Sequence, residues 1–216
     1  MLPTTARLTT QETALWKQAA ALLAHGRPWD LVHTEECLGY AFEIAASERW
    51  PPDLRRLVIP AVMLHDIGWA LIPPEKHEGR GYSREESRIE HMRIGAQRAG
   101  ELLRKAGYSE EETRRVATMV GEHDNPYIGK PFANPDTRHL REIDILWRLN
   151  PISFGKDVAL LAIPPEDLLK RIREQFARED VLSPTGTRLA EEMEVALLSA
   201  FEKPIIEQER RNEGTQ

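Results

Sequence analysis

Apolar and polar positions along this chain alternate with a helical period almost throughout. Thr9 and Glu12 form a capping box ahead of "ALWKQAAALLA", residues 14–24. A second helix is predicted over about 33–48, with apolar or small residues at Cys37, Tyr40, Ala41 and Ile44. Pro51-Pro52 interrupts it, and a third helix should run from about residue 53 through the pair His65-Asp66. Ser83 with Glu86 and Ser109 with Glu112 are capping boxes that open two long helical patterns. Further helices are expected over about 137–149, 165–177 and 187–202, the last two amphipathic. Two stretches rich in Pro and Gly, "LIPPEKHEGRGYS" and "NPYIGKPFANPDT", read as loops. No alternating run of β-branched residues predicts a strand, no internal repeat is visible, and only the terminal "EQERRNEGTQ" looks frayed. The expected fold class is all-α: one helical bundle over 1–216, with a core at 30–150 and a helical C-terminal extension at 151–216.

Polar residues interrupt the inward faces of these helices at particular points. His33 lies above Cys37, Tyr40, Ala41 and Ile44 in one helical stripe. His65 continues the row Val58, Ala61 and Val62. His91 begins the row Gly95, Ala99 and Leu102, and His123 ends the row Val116, Met119 and Val120. Asp144 falls on the face of Leu140 and Trp147. A single inward histidine is ordinarily a hydrogen-bonded core residue. Four of them with two carboxylates are hard to satisfy by pairing alone, because an uncompensated buried charge is costly. A cation at their centre resolves the conflict: neutral imidazoles donate lone pairs, and carboxylates supply the negative charge.

Composition excludes several alternatives. Lys and Arg number 29 against 35 Asp and Glu, a net charge of −6, which argues against general nucleic-acid binding. The single cysteine, Cys37, rules out an internal disulfide framework and reads as a small buried helix residue. No secretory signal and no stretch of membrane-spanning length is evident, so the expected location is cytoplasmic. No Ser-His-Asp arrangement supplies a side-chain nucleophile.

His33, His65-Asp66 and Asp144, in this order on a helical background, resemble the HD-domain superfamily of metal-dependent phosphohydrolases. "LHDIG" is the most specific stretch, and the similarity covers about residues 30–150. His91 and His123, between the HD pair and the last aspartate, resemble the six-ligand subset that holds two metals. That resemblance implies a first metal on His33, His65, Asp66 and Asp144, with Asp66 bridging to a second completed by His91 and His123. It implies two divalent ions (Fe, Mn or Zn, with Mg open) and hydrolysis of a small phosphorylated substrate by a metal-activated water. Asp66 and His65 are then catalytic. Asp124 is either an outer partner or proton acceptor, or a solvated aspartate at the start of a loop.

Many two-metal members carry a lysine directly after "HDIG", where it touches substrate oxygens; here that position is Trp69, and the "GYP" signature of one subgroup is absent. Candidate phosphate contacts are Lys76, Arg80 and neighbouring Arg84 at the first loop, Lys130 in the second, and Arg148 one turn beyond Asp144, each with solvated surface charge as its simpler reading. Residues 70–83 and 125–139 are expected to set substrate choice. His25, His77 and His139 read as surface residues. The helices after residue 150 either close the core or make a homodimer contact. Two further readings keep the same ligands: a diiron oxygenase cleaving a C–C or C–P bond, and a non-catalytic helical domain with a structural metal.

Overall fold

The computed structural model describes residues 7–76 and 83–213, and among them every side chain except those of Pro74 and residues 201–213. The described residues hold nine α-helices and no strand. These are α1 (Thr10–Leu23), α2 (Asp30–Ser47), α3 (Pro52–Leu64), α4 (Arg84–Lys105), α5 (Glu110–Glu122), α6 (Thr137–Leu146), α7 (Pro151–Leu161), α8 (Pro165–Glu179) and α9 (Pro184–Glu213). The all-α expectation holds. No helix among the described residues is long and apolar enough to cross a membrane. The chain divides into two compact units, Met1–Asp144 and Ile145–Gln216.

In the first unit, the three predicted capping boxes form at Thr9, Ser83 and Ser109, and in each the Glu three residues on bonds back to the cap backbone. α3 is the central element. It packs on α1, α2 and α5, and its residues from Leu57 to Leu64 are all buried. Pro60, inside this helix, leaves the Arg56 carbonyl without its usual donor, a tolerable loss in a helix packed on several sides. α4 and α5 form an antiparallel pair, and α4 also packs on the 3₁₀ turn Ile67–Ala70 that follows the HD pair. Ala99, Leu102 and Leu103 on α4 and Val116, Met119 and Val120 on α5 are buried, as the helical stripes predict.

Several boundaries depart from expectation. α2 begins one turn early, at Asp30, whose Oδ2 accepts the Arg27 backbone N–H at 2.7 Å; no side chain caps the helix at Trp29, so the sequence carries no start signal there. α3 stops at Leu64, one residue short of the HD pair.

The second unit contains a helix that the periodicity did not predict, α7. Its signal is local: Asn150 caps it by accepting the Ile152 N–H at 3.0 Å, and Pro151 occupies the first helical position. Phe154, Leu168, Leu169, Ile172 and Leu197 are buried in this unit. α9 runs to Glu213 through most of the stretch expected to fray; residues 214–216 lie outside the described residues.

Candidate metal centre

His65 occupies the C-terminal end of α3, and His123 the same position on α5. Each ring turns its Nδ1 onto the carbonyl three residues back, His65 onto Val62 and His123 onto Val120, both at 2.8 Å. Those carbonyls are acceptors, so Nδ1 carries the proton and Nε2 presents a lone pair inward. His91, on α4, is held the same way by the Ser87 carbonyl at 3.4 Å. The aspartate after each of the first two histidines leaves the helix, Asp66 at φ −102 and ψ 3 and Asp124 at φ −95 and ψ 7. A 3₁₀ turn follows in both places, closed by Trp69 N–H to Asp66 O at 3.1 Å and by Tyr127 N–H to Asp124 O at 3.0 Å. The chain thus builds the same His-Asp turn twice, with an aromatic residue three positions after each aspartate.

Two groups of ligand atoms converge: His33, His65 and Asp144 form one, and Asp66, His91 and His123 the other, the atoms of each lying within 4.8 Å of one another. Asp66 faces both. Its Oδ2 stands 3.5 Å from His33 Nε2 and 3.7 Å from His65 Nε2; its Oδ1 stands 3.8 Å from His91 Nε2 and 3.7 Å from His123 Nε2. Asp144 Oδ1 closes the first group at 3.3 Å from His33 and 3.7 Å from His65. His33 Nε2 meets His65 Nε2 at 2.8 Å, and His91 Nε2 meets His123 Nε2 at 3.4 Å. His91 and His123 both commit Nδ1–H to carbonyls, so their facing nitrogens need a proton or cation between them; His33 instead turns its Nδ1 towards Cys37 Sγ at 3.7 Å. Imidazole nitrogens and carboxylate oxygens in groups of three suit Fe, Mn or Zn, so the residues present fit divalent metal ions.

Burial and neighbouring charge divide the rings: His91 and His65 are lowered, whereas burial opposes a charge on His33 but Cys37 and Asp144 help raise it. Burial pushes the His91 imidazole down to about 3, against the pull of Asp124, so this ring is neutral. Burial also lowers His65. It works against a charge on His123, but Asp124 and Asp66 outweigh it and raise that ring. Burial likewise opposes ionisation of Asp66 and Asp144. His65 and Arg27 nevertheless hold Asp66 well below the usual carboxylate range, as His33 and Arg141 do for Asp144.

Close approach of two backbones makes this convergence possible. A Cβ on Gly68 would lie 2.0 Å from the His91 carbonyl oxygen, so only glycine lets the HD turn sit directly on α4.

The sequence-predicted residues fall out as follows. His33, His65, Asp66, His91, His123 and Asp144 come together. Asp124 is buried rather than solvated: it pairs with Arg88, accepts from Arg141 Nη1 at 3.3 Å and stands 3.6 Å from His91 Nε2. Lys76 pairs with Glu90 at 3.5 Å, Lys130 is exposed, and Arg148 bonds Gln175 and pairs with Asp157 at 3.6 Å within the second unit. Arg80 and His77 lie outside the described residues. His25 is exposed, but His139 is half-buried against Trp50, with ring centroids 5.0 Å apart, which corrects its surface reading. Cys37 is fully buried, as expected.

Sequence reasoning missed three arginines. Arg27 donates from Nη2 to Asp66 Oδ2 at 2.8 Å and from Nε to Asp30 Oδ1 at 2.7 Å, and its guanidinium lies 4.2 Å from the Trp69 ring centroid. Asp30 is itself buried, which pushes its carboxyl up to about 6 although Arg27 opposes the shift. Arg88 pairs with Asp124. Arg141, fully buried, donates to Asp144 Oδ2 at 2.8 Å. Two of them had a signal: Arg88 precedes His91 by three residues and Arg141 precedes Asp144 by three, a spacing that puts each on its ligand's helix face. Arg27, in the α1–α2 loop, had none.

Residues 31–174 match the HD domain family, two thirds of the chain. The protein therefore belongs to the HD superfamily of metal-dependent phosphohydrolases. Comparison with curated proteins and with solved structures returned no match.

Proposed function

We propose that the protein is a phosphohydrolase that uses two divalent metal ions to cleave a phosphomonoester or phosphodiester of a small metabolite or nucleotide. The observation that carries this reading is the Asp66 carboxylate, which turns one oxygen to each of two His-rich groups. Two ions held there would act as Lewis acids on a phosphoryl oxygen and supply an activated water at neutral pH. His33, His65 and Asp144 would hold the first ion, His91 and His123 the second, with Asp66 common to both. Asp124 keeps its negative charge beside Arg88 and Arg141 and orients His91. The backbone carbonyls of Val62, Ser87 and Val120 keep three imidazoles in the tautomer that ligation needs. No side-chain nucleophile is required.

The test separates hydrolysis from oxygen chemistry on the same ligands. The protein is purified anaerobically, its metals are counted, and a panel of phosphoesters is assayed with and without dioxygen. Phosphate release without oxygen, supported by Zn²⁺ or Mn²⁺, is the expected result. Turnover that requires both iron and dioxygen would overturn the proposal in favour of a diiron oxygenase, and bound metal with no turnover under either condition would leave the non-catalytic domain with a structural metal.

A further inference from the structure

The two His-Asp turns share more than their backbone. Each seats an arginine against the aromatic residue three positions after the aspartate: Arg27 at 4.2 Å from the Trp69 centroid, Arg88 at 3.9 Å from that of Tyr127. Each arginine also pairs with the aspartate of the same turn, Asp66 or Asp124. His91 stands between these carboxylates, 3.8 Å from Asp66 Oδ1 and 3.6 Å from Asp124 Oδ2. The two guanidiniums therefore approach the metal-ligand cluster by equivalent routes, on the bridging carboxylate and on the carboxylate behind His91.

Neither guanidinium is used up by these contacts. Arg27 commits Nε to Asp30 and Nη2 to Asp66, while Nη1 meets no protein acceptor among the described residues. Arg88 commits Nη1 to Asp124 and keeps its Nε buried, while Nη2 meets no protein acceptor among the described residues. Both side chains also reach solvent, at 26% and 15% exposure, whereas that of Arg141 is fully enclosed between Asp124 and Asp144. Arg141 is thereby confined to positioning, and Arg27 and Arg88 are available to a substrate.

Charge specifies what they would meet. With the imidazoles neutral, as ligation requires, Asp30, Asp66, Asp124 and Asp144 face Arg27, Arg88 and Arg141, an excess of one negative charge among these groups. Two divalent ions would convert this into an excess of three positive charges, in a setting where burial makes imbalance expensive. A phosphomonoester dianion cancels two of them and a phosphodiester only one.

We propose that Arg27 and Arg88 form a two-armed clamp for a terminal phosphoryl dianion, so that this site prefers phosphomonoesters over diesters. The proposal rests on the two-metal phosphohydrolase reading and narrows its substrate. Trp69 then has a definite role: its ring holds the Arg27 cation at the end of the HD turn.

The experiment titrates metal-loaded protein with inorganic phosphate and, separately, with dimethyl phosphate, a monoanionic diester, by calorimetry. Wild-type protein should bind phosphate at least about tenfold tighter than dimethyl phosphate. Arg27→Met and Arg88→Met should each weaken phosphate roughly ten- to hundredfold, the range of a charge-assisted hydrogen bond, and weaken dimethyl phosphate much less. Metal content by elemental analysis accompanies every titration. If a Met variant loses metal, Arg27→Lys and Arg88→Lys preserve the charge beside the aspartate but not the fork, and should retain metal while still binding phosphate several-fold more weakly. Equal affinity for the two anions, or phosphate affinity unchanged in metal-replete variants, overturns the clamp. Arginine-dependent phosphate binding with no phosphoester turnover would uphold the clamp and remove the hydrolase reading. Phosphoester turnover with phosphate binding indifferent to both arginines would do the reverse.

Discussion

Replacing Gly68 by alanine should damage the metal centre by a calculable route. The added Cβ would sit 2.0 Å from the His91 carbonyl oxygen and 2.8 Å from its carbon, where ordinary contact begins at 3.4 Å. The obstructing atoms are backbone, so no rotamer change relieves them, and α4 must retreat from the turn by about 1.4 Å, the difference between those distances. Overpacking of this kind costs typically 1–3 kcal/mol, and the lack of a flexible neighbour places Gly68→Ala at about 3 kcal/mol. With a urea slope of about 2 kcal/mol/M, the unfolding midpoint should fall by about 1.5 M. The retreat also moves His91 relative to Asp66 and His123 by several times the ~0.2 Å that metal–ligand distances tolerate. The second group should therefore lose its ion before the first does, which elemental analysis of the folded variant would read as metal content falling towards one ion per chain. Gly95→Ala is the matched control: its Cβ meets Gly68 at 3.4 and 3.5 Å, ordinary contact, and alanine favours the helix by up to ~1 kcal/mol. A Gly68→Ala protein with a wild-type urea midpoint and full metal content would refute the reasoning.

Asp66→Ala removes the carboxylate that faces both groups, so elemental analysis should find both ions depleted, whereas His123→Ala should deplete mainly the second; unchanged metal in Asp66→Ala would end the bridging assignment. The His91 ring, depressed from 6.5 to about 3, makes the metal-free fold lose stability as pH falls through that window, because the unfolded chain takes up the proton first. Urea midpoints of metal-free protein at pH 7 and 4.5 should converge in His91→Gln relative to wild type, and an unaltered difference would count against a neutral His91. Glu122 accepts the N–H groups of Ala133 and Asn134 at 2.7 and 2.9 Å and the Thr137 hydroxyl, tying the loop after His123 to α5. Glu122→Ala strands those donors and should cost about 2–4 kcal/mol in urea unfolding, with a change under 0.5 kcal/mol speaking against this anchor.

The helical class, the three capping boxes and the inward placement of His33, His65, His91, His123 and Asp144 could be read from sequence, because each depends on spacing along one helix, whereas Asp66 was placed only as the neighbour of His65. Thr9-Glu12, Ser83-Glu86 and Ser109-Glu112 are contacts three residues apart, and the histidine stripes follow from the helical repeat. The burial of all four histidines bears those stripes out. What lay beyond the sequence was set by contacts between elements. α7 escaped notice because its start is marked only by Asn150-Pro151, with no strong apolar stripe behind it. Asp124 could be either solvated or buried until α4 and α6 brought Arg88 and Arg141 to it. Arg27 lies in a loop with no period to betray it, and only the packing of the α1–α2 connection over the HD turn sets its guanidinium on Asp66 and Trp69. Periodicity thus determines which face a residue occupies, while charge balance at the centre depends on which faces meet, and that is a property of the tertiary fold alone.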